Sequence, residues 1–419
     1  MLATVGDLEC SSMNSHDSRR TFLRNAALLG VGASAVPALA AVGADAAAPV
    51  RPGEVTLDRT ALEDILAGCA VLGCGGGGTY ADGLARLSTG LEAGSPFRLL
   101  PVAELGDDEW VASPYGIGSL APQSEEDRAR FAALPRAKED NVEASFRRLS
   151  LFLGRPFVAV VAGELGPWST AAALSTAARL GIPLLDADRV GRATPEATQD
   201  SVVVAGLSTL PLAAVSPFGD SVILEKVGAQ SRIEDLLRAM SVASAGDLGV
   251  TDAALSGRDI RRSGALITGT ISRARALGQA VRESTAAGTD PVEALRAAGA
   301  GQRLFQGTVV DCPWRDEAGF LVGEVTISGT GEFASSDYRI RFKNEHIVAW
   351  KDGAVSVLPP DLICVVDSRT AVAISNPEFE PGRAVTVLGF PAPAIWRTPA
   401  GLRVFGPAHF GLEEAYRPL

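Results

Sequence analysis

An α/β first half followed by a β-rich second half is the fold class the sequence predicts, and three observations carry it. Two short apolar runs, Phe157–Ala162 and Ile182–Leu185, flank an Ala-rich stretch of helical character that ends at Gly181, which makes one βαβ unit. From Gln306 onward, short strand-like segments alternate with Gly, Asp and Pro turn signals, which suits a small barrel or sandwich. Between these regions, residues 231–300 are rich in Ala and Arg with helical spacing, and read as a helical insertion. The expected domains are therefore residues 57–215 for the α/β part and 216–419 for the β-rich part.

Residues 1–40 read as an address rather than a fold. Ser18-Arg19-Arg20-Thr21-Phe22-Leu23-Arg24 precedes an Ala- and Gly-rich apolar run, and Pro37-Ala38-Leu39-Ala40 offers a small-residue cleavage site. This is the pattern of a twin-arginine export signal, so a periplasmic or extracellular protein is expected. Residues 41–56 form the linker. No other run is long enough to span a bilayer, so no stable membrane span is expected once the signal is removed.

Composition narrows the function classes. The 419 residues are 47% hydrophobic and 21% charged, a balance that builds a core and excludes a disordered chain. The net charge of −11 argues against a nucleic-acid partner, which requires a basic face. Gly and Pro together make about 17% of the chain against roughly 12% in average proteins, so tight turns and close backbone approaches are numerous. With three His and five Cys, metal chemistry has few ligands to draw on. Without a Cys-x-x-Cys spacing, Cys69, Cys312 and Cys364 read as buried free thiols, although disulfides remain open in an exported chain.

Along the first half, Leu62, Ile65, Leu66, Cys69 and Leu72 recur at helical spacing, and Asp58 or Thr60 is placed to cap that helix. The helix runs into Gly73-Cys74-Gly75-Gly76-Gly77-Gly78. The run formally contains a dinucleotide fingerprint, but a helix precedes it where that motif needs a strand. Its backbone N–H groups, opening onto a helix from Tyr80, are instead suited to an anion or a carbonyl oxygen; the bland alternative is a tight helix–helix corner. Glu164 lies just past the first apolar strand, and Asp186 and Asp188 lie at the end of the second. Ligands bind along that edge of an open α/β sheet, so the three carboxylates are expected to converge on one crevice, unless an aspartate merely caps the following turn. Arg192 is placed to neutralise them or to hold an anionic group, and Glu196 either joins the site or sits in the first turn of a helix begun at Thr194-Pro195.

In the second half, strand-like segments fall at Thr308–Val310, Phe320–Ile327, Tyr338–Phe342, Ile347–Trp350, Leu362–Val366 and Ala384–Leu388, with a turn at Asp352-Gly353. Asn344-Glu345-His346 interrupts one strand pair, and Pro359-Pro360-Asp361 precedes another strand. His346 and His409 are the candidates for a general base or metal ligand by chemistry alone.

Read together, these segments resemble the S-methyl thiohydantoin desulfurase-like family. The N-terminal features that carry the resemblance are the glycine run 73–78, Gly163-Glu164, Asp186-Ala187-Asp188 through Gly191-Arg192-Ala193, and Pro195-Glu196. The C-terminal ones are Gln306-Gly307, Gly319-Phe320, Asn344-Glu345, Pro360-Asp361-Leu362-Ile363, Gly406-Pro407 and Phe410-Gly411. The resemblance covers about residues 57 to 417. It implies a three-layer αβα first domain and hydrolysis at C2 of a thiohydantoin- or hydantoin-like ring, with release of a sulfur leaving group.

Such chemistry needs a base, an oxyanion stabiliser and a proton donor. Glu164 or Asp188 is expected as the base, and Arg192 as the group that orients substrate. Cys74 is expected as a nucleophile or metal ligand. Gly75, Gly76, Gly77, Asp186, Glu196, Asn344, Glu345 and Asp361 are expected to bind substrate. Zinc is the divalent metal that Cys74, Asp186 and His346 are the candidates to hold. The expected partners are a small-molecule substrate and, for oligomers, copies of the same chain. Leu165-Gly166-Pro167-Trp168 stands where family members often carry Gly-Gly-Asn after the glutamate, and this favours the alternative of an exported binding protein or accessory subunit that keeps the fold without catalysis.

Overall fold

The computed structural model describes residues 50–118, 124–376 and 378–419. The segment expected to be an export signal (1–40) and most of the expected linker lie outside the described residues. No helix among the described residues is long and apolar enough to cross a membrane.

Residues 55–268 build one nine-stranded sheet. Its strands are β1 (Val55–Leu57), β2 (Phe97–Leu100), β3 (Trp110–Ile117), β4 (Ala159–Ala162), β5 (Leu184–Asp188), β6 (Leu212–Val215), β7 (Ser221–Leu224), β8 (Leu248–Ser256) and β9 (Ile267–Thr268). They lie in the order β1-β2-β5-β4-β3-β8-β6-β7, with β9 beside β5. The central strands β2, β5, β4 and β3 are parallel, and the outer pairings are antiparallel.

The expected βαβ unit is the centre of this sheet: β4, a helix over Pro167–Leu180, then β5 in parallel. Strand β4 is apolar throughout because both of its faces are covered. Val160 and Ala162 join one core cluster with Leu184, while Ala159 and Val161 join another with Leu185.

The longer helices are α1 (Arg59–Leu72), α2 (Tyr80–Glu92), α3 (Asn141–Leu153), α4 (Pro167–Leu180), α5 (Ser231–Ala243) and α6 (Thr270–Ala287). Helices α1 and α6 cross at backbone contact. A Cβ on Gly68 would stand 1.8 Å from the Ala274 carbonyl oxygen, and one on Gly278 would stand 2.0 Å from that of Asp64. The first sheet extends past the boundary expected near residue 215, because β7, β8 and β9 return to it. Strand β8 pairs with β3 from Trp110–Ser256 to Ile117–Leu248, so the helical stretch 231–300 is split by strands of the first sheet.

The second sheet is an all-antiparallel half-barrel. It comprises β10 (Gln302–Asp311), β11 (Trp314–Glu317), β12 (Phe320–Gly329), β13 (Asp337–Lys343), β14 (Glu345–Lys351), β15 (Ala354–Val357), β16 (Leu362–Asp367) and β17 (Ala384–Phe390). The order is β15-β14-β13-β12-β10-β17-β16, with β11 on β12. Phe305, Val325, Ile327, Tyr338, Ile340 and Phe342 fill its core, alternating along the strands as a one-sided sheet requires. The Asp352-Gly353 turn joins β14 to β15 with both residues at positive φ, 51° and 81°, the geometry of a tight hairpin.

Candidate active site

The glycine run is where the two sheets meet. Helix α1 ends at Gly73, Cys74 turns back at φ 50°, and Thr79 caps α2. The run uses its carbonyls as ties: Cys74 accepts from the His346 N–H at 2.8 Å, Gly75 from the Asn376 N–H at 2.8 Å, and Gly77 from the Trp168 N–H at 2.9 Å. Side chains are absent because neighbours fill their space. A Cβ on Gly76 would lie 1.9 Å from Glu345 Oε1, and one on Gly77 would lie 2.5 Å from the Gly166 Cα. Of the run, Gly77 and Gly78 line a cavity from which Gly75 and Gly76 are absent; those two pack against Asn376, His346 and Glu345.

That cavity, about 710 Å³, is open at the surface and spans both halves of the chain. Glu164, Glu196, Asn344 and Glu345 line it, together with Trp168 and Tyr115. Glu164 follows β4 after Gly163. Its carboxylate accepts from Ser169 Oγ at 2.7 Å and from the Thr194 N–H at 2.8 Å. Burial lifts its pKa above the usual range against those two bonds. Glu345 opens β14 and is 3% exposed, and its Oε2 has no partner among the described residues. Burial first, then the charge of Glu164, pushes its carboxyl well above the usual range.

Glu196 sits at the rim. Burial opposes its ionisation, but the His409 ring at 2.8 Å and Lys343 Nζ at 2.6 Å hold its carboxyl down at about 2. His409 is thereby a hydrogen-bond partner of Glu196. Asn344 adopts φ 56° and caps the edge of β12, accepting from the Leu321 N–H at 2.7 Å.

The other predicted residues go elsewhere. The three carboxylates past β4 and β5 do not converge. Asp188 is fully buried and turns back onto its own chain, accepting from the N–H groups of Val190 at 2.9 Å and Gly191 at 2.6 Å. Asp186 caps the start of α6 through the Ser272 N–H at 2.9 Å and hydroxyl at 2.6 Å. Arg192, also fully buried, does not face the cavity. Its guanidinium donates to the carbonyls of Ala193, His346 and Asp361 and lies over the Phe405 ring, so it joins the two halves instead of holding an anion. Asp361 is occupied by the N–H groups of Ala392 and Leu419 and by the Tyr416 hydroxyl.

Cys74 lies in the core, off the cavity, with its sulfur 3.9 Å from that of Cys364. Burial raises the thiol, yet contact with Cys364 and the charge of Arg192 bring it down to about 7. Cys69, Cys74, Cys312 and Cys364 are free thiols, with Cys312 half-buried rather than sealed in the core. His346 is buried, its ring spanning the Ile363 carbonyl at 2.9 Å and the Asn376 amide oxygen at 3.3 Å, and burial draws it down to about 4. Cys74, Asp186 and His346 are each engaged with different partners, and no group of three His, Cys, Asp or Glu suited to a metal occurs among the described residues. The donors present do not fit the expected zinc.

One cluster on the cavity wall escapes sequence inspection. Arg189 donates to Asp252 at 2.6 Å and pairs with Asp200 at 3.0 Å, and the Tyr115 hydroxyl donates to Asp252 at 2.9 Å. Burial lifts Asp200 to about 6. Only Arg189 carried a signal, since it directly follows Asp188 at the end of β5; Tyr115 and Asp252 meet through the long-range pairing of β3 with β8.

The S-Me-THD-like N-terminal domain matches residues 60–226, and the S-Me-THD-like C-terminal domain matches residues 229–419. The chain belongs to the S-Me-THD-like family. No curated protein matches it. An X-ray crystal structure of a protein from Chromobacterium violaceum is similar at TM-score 0.68 and 22% identity, over 87% of this chain and 99% of that one, which shows a shared fold. Within this family assignment, the cavity lies where N-terminal Glu164 and C-terminal Glu345 meet.

Proposed function

We propose that this S-Me-THD-like protein is a hydrolase acting on a thiohydantoin- or hydantoin-like five-membered ring bound in the 710 Å³ cavity. The observation that carries this is the pair Glu164 and Glu345, which line one cavity in different environments. Glu164 is held by two donors that favour its carboxylate form. Glu345 is buried, and burial together with the Glu164 charge pushes its carboxyl well above the usual range, which favours its protonated form. Carboxyl groups set apart in this way divide into a base and an acid. Trp168 and Tyr115 supply aromatic surface for a planar ring.

For an S-methyl thiohydantoin, Glu164 takes a proton from a water molecule as its oxygen bonds to C2 across the C=N bond. The C2–S bond then breaks, and Glu345 protonates the departing sulfur. Glu164 passes its proton to the ring nitrogen and the C2 hydroxyl proton returns to Glu345 as the carbonyl forms, so one water is consumed, both carboxyl groups are restored, and the products are a hydantoin and methanethiol.

The test is turnover of 5-alkyl S-methyl thiohydantoins by the full chain, with hydantoin measured by chromatography and methanethiol by a thiol reagent. Glu164→Gln and Glu345→Gln are each expected to lower kcat about 10²–10⁴-fold. Tight ring binding with no release of methanethiol would refute the hydrolase and favour a binding protein.

A further inference from the structure

Gln199 lies in the loop after β5, lines the cavity and is 1% exposed. A backbone donor tells its two amide ends apart. The Glu196 N–H points at one end from 3.3 Å, and an N–H can only donate, so that end is Oε1; it also accepts from the Thr194 hydroxyl. The other end, Nε2, carries two hydrogens and has no partner among the described residues. A buried donor in this state is unfavourable and favours whatever acceptor can reach it.

The charges around it define that acceptor. Arg86 is taken by Asp140, Arg189 by Asp200 and Asp252, and Arg238 by Glu234. All three lining arginines are ion-paired, with only the Nε groups of Arg86 and Arg189 left without a partner among the described residues, and the Glu164 carboxylate is present to repel an anion. What Nε2 lacks is an oxygen acceptor, and one without charge suits this wall.

We propose that Gln199 is the specificity-determining residue of this cavity: its Nε2 donates to a carbonyl oxygen of an uncharged cyclic amide, and carboxylate ligands are rejected. The proposal rests on the reading that the cavity takes a five-membered ring. The same carboxamide fixes the Glu196 turn through Oε1, so the loop holds Nε2 in place before a ligand arrives.

The experiment is calorimetric binding to the full chain and to Gln199→Met, which keeps the length of the side chain but removes the donor. The probes are hydantoin, imidazolidin-2-one and imidazolidin-4-one, which each lack one of its carbonyls, and hydantoin-5-acetate, which adds a carboxylate. The wild type is expected to bind hydantoin about tenfold more tightly than one of the two single-carbonyl rings, and the variant to lose that preference to within about twofold. Hydantoin-5-acetate is expected to bind the wild type at least about tenfold more weakly than hydantoin. On an S-methyl thiohydantoin, the variant is expected to raise KM by the same factor with kcat within about threefold; a merely structural role would lower kcat and the melting midpoint together. Gln199→Leu provides a second variant without the donor should the first fail to fold.

If the variant keeps the wild-type preference, or the wild type binds none of the four rings, the proposal is overturned. Discrimination without turnover would uphold Gln199 and sink the hydrolase, whereas turnover with unchanged discrimination would do the reverse.

Discussion

Asp188 separates a structural acid from a catalytic one. Burial raises its carboxyl from 3.8 to about 7, against the N–H groups of Gly191 and Val190. The folded state therefore binds this proton more tightly than the unfolded chain. The stability it contributes is fully present below about pH 3.8 and is lost as pH rises through about 7. Integrating between those two values gives a loss of about 2–3 kcal/mol from about pH 5 to about pH 8. Asp188→Asn keeps an oxygen for both N–H groups and has no proton to lose. The difference in unfolding free energy between variant and wild type, from urea titrations at the two pH values, is expected to move by that amount in the variant's favour. Turnover in the variant is expected to stay within a few-fold of wild type, because Asp188 does not line the cavity. A pH-independent difference would refute the buried-acid reasoning, and lost turnover at retained stability would make Asp188 a chemical participant.

Gly76→Ala drives a Cβ into Glu345 Oε1 and is expected to cut kcat at least about tenfold, while Gly228→Ala, with open space around it, leaves kcat unchanged; steady-state kinetics reads both. Arg189→Met strands Asp200 and Asp252 in the core and is expected to cost about 3–5 kcal/mol in urea unfolding. Cys74→Ala keeps the positive-φ backbone no worse than before and is expected to cost about 1–2 kcal/mol with kcat nearly unchanged, since the thiol is off the cavity.

What the sequence revealed follows a physical divide. The βαβ unit was legible because local periodicity, Gly181 at φ 67° as a helix stop and an unbroken apolar strand all report on neighbours along the chain. Glu164 was legible for the same reason, since the end of a parallel strand is a local position with a global meaning. Asp186 and Asp188 obey the same rule, yet their side chains were claimed by partners that no local pattern announces: the start of α6, some 86 residues on, and the chain's own next turn. Arg192 misled similarly. A charged residue beside carboxylates suggests an ion pair, but its partners are backbone carbonyls of residues 346 and 361, which no side-chain pattern encodes.

The glycine run carries this point furthest. Read locally, a stretch without side chains suggests N–H groups free for a ligand. In the fold its carbonyls are bonded to β14 and to the 376 turn, and its missing Cβ atoms make room for Glu345, Asn376 and Gly166. The run thus acts on the site indirectly: by letting β14 approach α1 at backbone distance, it sets Glu345 beside the cavity that Glu164 enters from β4. If that is its role, enlarging Gly76 damages chemistry through Glu345, and the loss should be non-additive with Glu345→Gln. The double variant is expected to be no slower than the worse single one.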